Sequence, residues 1–173
     1  MRSESDRAWA IFTARSILGV VFCTAGIYKT FMWGPLEHAR LLFVGPYADT
    51  FLPVWALWTT GAVIPVVELI AGALVLVGYW TRPSLFALAG VLVLVTFGHL
   101  LVQDARSIIP FIMTRSALLL VVLLSPASAD RFSLDYWKGM VRLQADTTAD
   151  REGPRRDAED PPVVSSFSRT PLR

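Results

Sequence analysis

The stretch TTGAVIPVVELIAGALVLVGYW, residues 59–80, is apolar, long enough to cross a bilayer, and carries one acid, Glu68, near its middle. Roughly 20 such residues span the hydrocarbon core as an α-helix. The centre of a membrane helix is where an ionised side chain is least favourable, by about 2.5–3.5 kcal/mol on insertion scales. Glu68 therefore marks a candidate functional site, and the question is which groups face it.

Composition restricts the class of protein. The chain has 173 residues, of which 54% are hydrophobic and 17% charged, and its mean hydropathy is +0.51. These values indicate a small polytopic membrane protein.

The single cysteine, Cys23, excludes an intramolecular disulfide, a CxxC redox pair and a thiolate metal cluster. His38 and His99 lack metal-ligand spacing, so we predict no metal and no haem. Basic residues slightly outnumber acidic ones, and we interpret this excess as a sign of membrane topology. It does not predict a nucleic-acid partner.

Hydropathy divides the chain into a four-helix domain, residues 8–127, and flanking polar segments. The second and third connections are short, which predicts an all-α integral membrane bundle with up-down-up-down topology and both termini on one side. The N-terminal segment, 1–7, lacks a signal-peptide cleavage site. A membrane-surface segment at 128–146 and a disordered tail at 147–173 follow the bundle. The predicted helices are at about 8–32, 59–80, 84–102 and 108–126, with an extracytoplasmic loop at 33–58.

Basic residues are unevenly distributed between the two ends of the predicted bundle, with two on the loop side, Arg40 and Arg106. This asymmetry predicts that both termini are cytoplasmic. The basic residues on the terminus side are Arg2, Arg7, Arg82, Arg131, Lys138 and Arg142.

The first helix carries two cations. Arg15, Gly19, Phe22, Gly26 and Lys29 follow helical spacing and share one stripe. Glycines on that stripe would allow close approach of a neighbouring helix, so the stripe is expected to face protein. The alternative is that both cations snorkel to opposite interfaces.

The loop at 33–58 contains three prolines and a series of aromatic residues, and it is too interrupted to span a membrane. We expect a short interfacial helix at 36–44, then a turn at Gly45 and Pro46. Such a loop could cover a site that opens at this surface. The alternative is an aromatic anchor packed over the helix ends.

Depth decides which charged groups can meet. Counted from the loop end, Glu68 lies about 15 Å down its helix, Arg115 about 10 Å, His99 about 5 Å and Lys29 about 3 Å. We therefore expect a Glu68–Arg115 ion pair, because an unpaired charge in hydrocarbon is costly. With His99 and Lys29 also at this end, the hydrogen-bond donors outnumber the acceptor positions of the single acid, Glu68. This surplus suggests an anionic or carbonyl-bearing ligand.

Several short motifs resemble the DoxX family of small four-helix membrane proteins. The similar segments are ARSILG (14–19), AGIYK (25–29), ELIAGAL (68–74), LVG (76–78) and TR (81–82). The resemblance implies a bacterial inner-membrane protein related to the membrane subunit of thiosulfate:quinone oxidoreductase and to membrane partners of oxidative-stress enzymes. It places Arg15, Lys29, Glu68 and Arg82 at family-pattern positions.

Two functions of different class follow, and whether the protein is an enzyme stays open. In the first it is a quinone-interacting subunit of a redox complex, linked to sulfur-compound oxidation or oxidative-stress defence, which needs a partner subunit as electron donor. Glu68, Arg115 and His99 are then catalytic, and Arg15, Lys29 and Arg115 bind the quinone.

In the second the protein is a membrane scaffold that recruits soluble redox enzymes through its tail, and the charges are a structural clamp. A homo-oligomer is compatible with either function. A monomeric transporter is disfavoured, since four short helices show no internal repeat.

Overall fold

The computed structural model describes residues 4–151, and it divides the chain into two units at Gly139 and Met140. The described residues are helical, without strands. Four of the helices are long and apolar enough to cross a membrane. The predicted all-α membrane bundle is thus confirmed, and the protein is a membrane protein.

Four long helices form the bundle. α1 packs against α3 and α5, and α4 packs against the same two helices, so the four form a ring. α1 continues as a π-helical segment, Tyr28–Trp33. The helix bounds are α1 Glu4–Ile27, α2 Pro35–Ala39, α3 Val54–Val77, α4 Thr81–Val102, α5 Ala105–Leu124 and α6 Leu134–Arg151.

Glycines bring α1 and α3 into backbone contact. A Cβ atom added to Gly26 would lie 2.3 Å from the amide nitrogen of Leu69, and one added to Gly19 would lie 2.7 Å from that of Leu76. Gly72 makes the equivalent approach from α3 to α1. The two helices are therefore antiparallel, and the glycine stripe predicted to face protein does so.

The apolar core fills the half of the bundle nearer the termini. At the loop end, where residues 34–53 connect α1 to α3, the buried polar residues Glu68 and His38 lie among apolar side chains. The buried core residues are Leu18, Phe22, Ala71, Val75, Leu85, Leu88, Leu92, Leu119 and Val122.

The loop between α1 and α3 is folded. α2 is followed by a π-helical segment, Arg40–Val44. A Cβ atom added to Gly61 of α3 would lie 2.6 Å from the Cα atom of Ala39, so the loop packs tightly on α3. His38, Ala39 and Tyr47 are buried. The loop therefore covers the end of the bundle.

Several helix ends differ from the predicted ones. α1 is already helical at Glu4, the first described residue, and the acidic side chains in this turn interact favourably with the helix dipole. α3 ends before Gly78, which adopts the left-handed conformation (φ 76°). α4 begins at Thr81 and α5 at Ala105, after the N-cap Asp104.

The segment after the bundle is more helical than predicted. α6 extends through the predicted surface segment and to Arg151, five residues into the tail predicted to be disordered from residue 147. Within that stretch the Thr147 hydroxyl donates to the Leu143 carbonyl, 2.8 Å away. The rest of the predicted tail, residues 152–173, lies outside the described residues, as do residues 1–3.

Candidate functional site

Glu68 forms an ion pair with Lys29. The Lys29 Nζ atom is 2.6 Å from Oε2 of Glu68, and the glutamate is only 4% exposed. The close contact of Gly26 with Leu69 explains the pairing, because each charged residue lies within one turn of that contact. The helix crossing therefore places a cation from α1 beside the intramembrane acid.

The predicted Glu68–Arg115 ion pair is wrong. The Arg115 guanidinium lies 3.3 Å from the ring centroid of Phe111 and 5.8 Å from that of Phe22. Phe22 belongs to the buried core, and Lys29 already occupies the carboxylate. Arg115 is still close enough to Glu68 for the two charges to attract each other. Depth counting could not show that Lys29, on a different helix, would make the direct contact.

Arg15 lies at the opposite end of the bundle. Its Nη1 atom donates to the carbonyls of Val75 (2.7 Å) and Leu76 (2.8 Å), and Nη2 donates to that of Phe132 (3.2 Å). Its Nε atom lies 3.0 Å from Oδ2 of Asp130. Arg15 therefore satisfies carbonyls at the C-terminus of α3. It is about 20 Å along the helix from Lys29.

A cavity of about 110 Å³ opens at the loop end. It brings together two of the predicted site residues, Lys29 and His99. Glu68 lies behind Lys29, whereas Arg15 and Arg115 do not line the cavity. The lining residues are Lys29, His38, Leu42, Phe43, Pro46, Tyr47, Ile64, Leu94, Val95, Gly98, His99, Val102 and Gln103.

His38 holds the loop against α3. Its side chain is 2% exposed, and Nδ1 is 2.7 Å from the Gly61 carbonyl oxygen. A carbonyl only accepts, so Nδ1 carries the proton. Burial lowers the pKa of His38 below its ordinary value, and the Gly61 carbonyl partly opposes this shift. His38 is therefore a neutral hydrogen-bond donor at neutral pH.

Tyr47 holds the loop against α4. Its hydroxyl lies over Gly98, where an added Cβ atom would be only 2.8 Å from the hydroxyl oxygen. The ring packs on Phe43 in a stacked arrangement, with centroids 6.2 Å apart. Burial raises the pKa of Tyr47, which keeps the phenol protonated. The loop is thus attached to both helices that form the cavity wall.

His99 presents a polar atom to which no described residue forms a hydrogen bond. Among the described residues, Nδ1 of His99 is buried and has no hydrogen-bond partner. A buried polar atom without a partner is unfavourable, which points to a group that is bound in the working protein. Together with Lys29 and Tyr47, it gives the cavity several hydrogen-bonding groups within apolar walls.

The residues that sequence reasoning missed are His38, Tyr47 and Gln103. The aromatic series indicated that the loop could cover a site, but it did not indicate which loop residues would enter one. The contacts that place His38 and Tyr47 join residues far apart in the chain. Within residues 4–151, the structure shows no group of three His, Cys, Asp or Glu side chains able to hold a metal ion.

The family model of methylamine utilisation protein MauE matches residues 7–110. This match covers most of α1, the loop, α3, α4 and the start of α5. It corrects the resemblance to the DoxX family, because the motifs on which that resemblance rested lie inside the MauE match. No curated protein and no solved structure matches the chain.

Proposed function

The chain belongs to the methylamine utilisation protein MauE family, and from this premise we propose that it is the membrane subunit of an amine-utilisation redox system. We propose further that the loop-end cavity binds the carbonyl-bearing ring of a quinone. The observation that carries this proposal is the Nδ1 atom of His99, which has no hydrogen-bond partner within residues 4–151, in an apolar cavity that Lys29 also lines.

The chemistry of the cavity favours a carbonyl over an amine. Its charged lining group, Lys29, is ion-paired to Glu68, so the cavity offers no unpaired carboxylate to hold a protonated amine. A quinone oxygen instead accepts hydrogen bonds, and its ring suits walls formed by residues such as Ile64 and Val95. Quinones dissolve in the hydrocarbon layer, and Ile64 and Val95 belong to helices that are long and apolar enough to cross it. The amine itself is therefore handled by another component.

The residues take distinct roles in this proposal. Lys29 and His99 donate hydrogen bonds to the quinone oxygens. Glu68, ion-paired to Lys29 at 2.6 Å, exchanges protons with the site. Arg15 and Arg115 do not line the cavity, and their roles are structural. Arg15 donates hydrogen bonds at the C-terminus of α3, and Arg115 packs over the ring of Phe111.

Reduction of a quinone to a quinol takes two electrons and two protons. Cys23 is the only cysteine and cannot form a dithiol with another residue of the chain. A partner subunit must therefore supply the electrons, which makes the protein part of a multi-protein system. The excess of basic residues at the terminus end supports cytoplasmic termini and a location in a bacterial inner membrane.

The test is to purify the protein from its native membranes in mild detergent and to analyse the bound quinone. His99→Leu removes the donor and keeps an apolar side chain of similar bulk, whereas Gly90→Ala changes an open position on α4. We expect quinone with the wild type and Gly90→Ala, and about tenfold less with His99→Leu, the loss of one good hydrogen bond.

A second outcome would contradict the proposal. If no form of the protein retains quinone and all retain the same soluble enzyme, the protein is a scaffold. In that case the unpartnered His99 nitrogen has no role in binding, and the Lys29–Glu68 pair is structural.

A further inference from the structure

A second concave surface lies on the outer side of α3, at the terminus end. Its volume is about 490 Å³, and residues 69–77 of α3 form its wall, with Tyr79 and Leu134 at its foot. Ile70 is 57% exposed and Val77 53% exposed. We call this surface the α3 groove. It shares no lining residue with the loop-end cavity.

The foot of the α3 groove is fixed by the start of α6. The Asp135 carboxylate accepts hydrogen bonds from the amides of Trp80 (2.9 Å) and Thr81 (2.8 Å). The Asp135 amide donates to the Gly78 carbonyl at 3.0 Å. These bonds join α6 to the connection between α3 and α4. Because Leu134 precedes Asp135 in the chain, these bonds also hold Leu134 at the foot of the groove.

A cation lies at the same end. The Lys138 Nζ atom is 4.0 Å from the centroid of the Tyr79 ring, and Tyr79 lines the groove. The nearest acid on α6, Asp135, already accepts from two backbone amides. Within residues 4–151 no salt bridge involves Lys138, so its ammonium can pair with an anion at the mouth of an otherwise apolar groove.

The length of the α3 groove matches one leaflet of a bilayer. Residues 69–77 extend along α3 for about 12 Å, close to half of a hydrocarbon core of about 30 Å. A partner transmembrane helix would instead contact α3 over most of its length. The groove stops at Leu69, near the middle of the span Val54–Val77. An acyl chain that enters from one leaflet has this reach.

We propose that the α3 groove binds one acyl chain of an anionic phospholipid, with the phosphate against Lys138. With the cytoplasmic termini proposed above, this end faces the leaflet whose anionic lipids give it a negative surface potential, and each basic residue near that surface strengthens lipid binding about fivefold. Tyr79 fits the interfacial position, because its ring is amphipathic. The site holds a structural lipid and does not depend on the loop-end cavity.

The experiment is native mass spectrometry of the full-length protein, titrated with phosphatidylglycerol and phosphatidylcholine of the same acyl chains. The wild type should prefer phosphatidylglycerol about fivefold, and Lys138→Ala should bind the two lipids equally. Arg7→Ala is the matched control, since it removes an exposed cation near the same end of the bundle. It should keep the preference.

A second variant tests the acyl-chain site. Ala73→Trp fills the groove wall, and it should weaken both lipids while the protein keeps its helical circular dichroism. Equal binding of the two lipids by the wild type would overturn the proposal. So would an equal loss of preference in Lys138→Ala and Arg7→Ala, or a dimer whose formation Ala73→Trp abolishes.

Discussion

At the scale of single residues, the Lys29–Glu68 pair is the feature on which the site depends. The Glu68 side chain is 5% exposed, whereas the Lys29 side chain is 25% exposed and can reach water by bending. The two partners therefore differ in what their removal leaves behind. An unpaired buried carboxylate is more costly than an unpaired lysine with access to the interface.

We predict that Lys29→Met destabilises the protein by about 3–5 kcal/mol, the range for breaking a buried pair. Glu68→Gln should be milder, because Lys29 can turn outward. The double variant should recover part of the loss. Unfolding in mixed micelles, followed by circular dichroism, measures all three. A larger effect of Glu68→Gln than of Lys29→Met would contradict this account.

His38 makes the attachment of the loop sensitive to pH. Its pKa in the folded loop is lowered, chiefly by burial, with opposing effects from Lys29 and Glu68. The undocked loop keeps the ordinary value of 6.5. Between the two pKa values the undocked loop binds more protons. The docked form is therefore fully stable above about pH 6.5 and loses stability as the pH falls through this window.

We predict that hydrogen exchange in residues 35–47 speeds up as the pH falls below about 6.5, after correction for the intrinsic pH dependence of exchange. His38→Gln keeps a side-chain donor for the Gly61 carbonyl but does not titrate, so it should remove the effect. Persistence of the effect in His38→Gln would assign it to another group.

At the scale of helices, backbone contact between α1 and α3 sets the geometry of the site. Gly26 has no space for a methyl group, since the obstructing atoms are the backbone of Leu69. Gly90 on α4 provides the control, because an added Cβ atom there meets nothing within 4 Å. Both substitutions raise helix propensity equally, so any difference between them reports packing.

We predict that Gly26→Ala costs about 1–3 kcal/mol through overpacking and moves Lys29 away from Glu68. Gly90→Ala should be neutral, or stabilising by up to about 1 kcal/mol. Thermal unfolding of the two variants in the same detergent gives the comparison. Equal stability would mean that α1 and α3 are less closely packed than the structure shows.

At the scale of the whole molecule, the sequence predicted the membrane bundle because hydropathy and helix length are local properties. Residues 59–80 indicated a membrane-spanning helix, and the glycine stripe on α1 indicated which face of α1 is buried. The partner of Glu68 was not predictable in this way, since depth gives a level in the membrane but no direction around a helix. The Tyr47–Gly98 contact joins a loop to a distant helix, and no local pattern encodes it.

The short motifs were also less specific than they seemed in isolation. Those containing Arg15, Lys29 and Glu68 resembled one family, whereas the match over residues 7–110 assigns the chain to another. The structure offers a physical reason for such motifs. Arg15 caps the end of α3, and Lys29 neutralises a buried acid. Free carbonyls at a helix end and a buried acid are needs of packing, which are not specific to one family.

The most direct test of the central claim is photolabelling of the protein, in native membranes, with an azido-quinone. The account predicts that labelled peptides come from the two walls of the loop-end cavity, residues 38–47 and 94–103. An excess of unmodified quinone should abolish the labelling, and His99→Leu should reduce it. Labelling spread evenly over the lipid-facing surface, or concentrated in the α3 groove, would contradict a quinone site at Lys29 and His99.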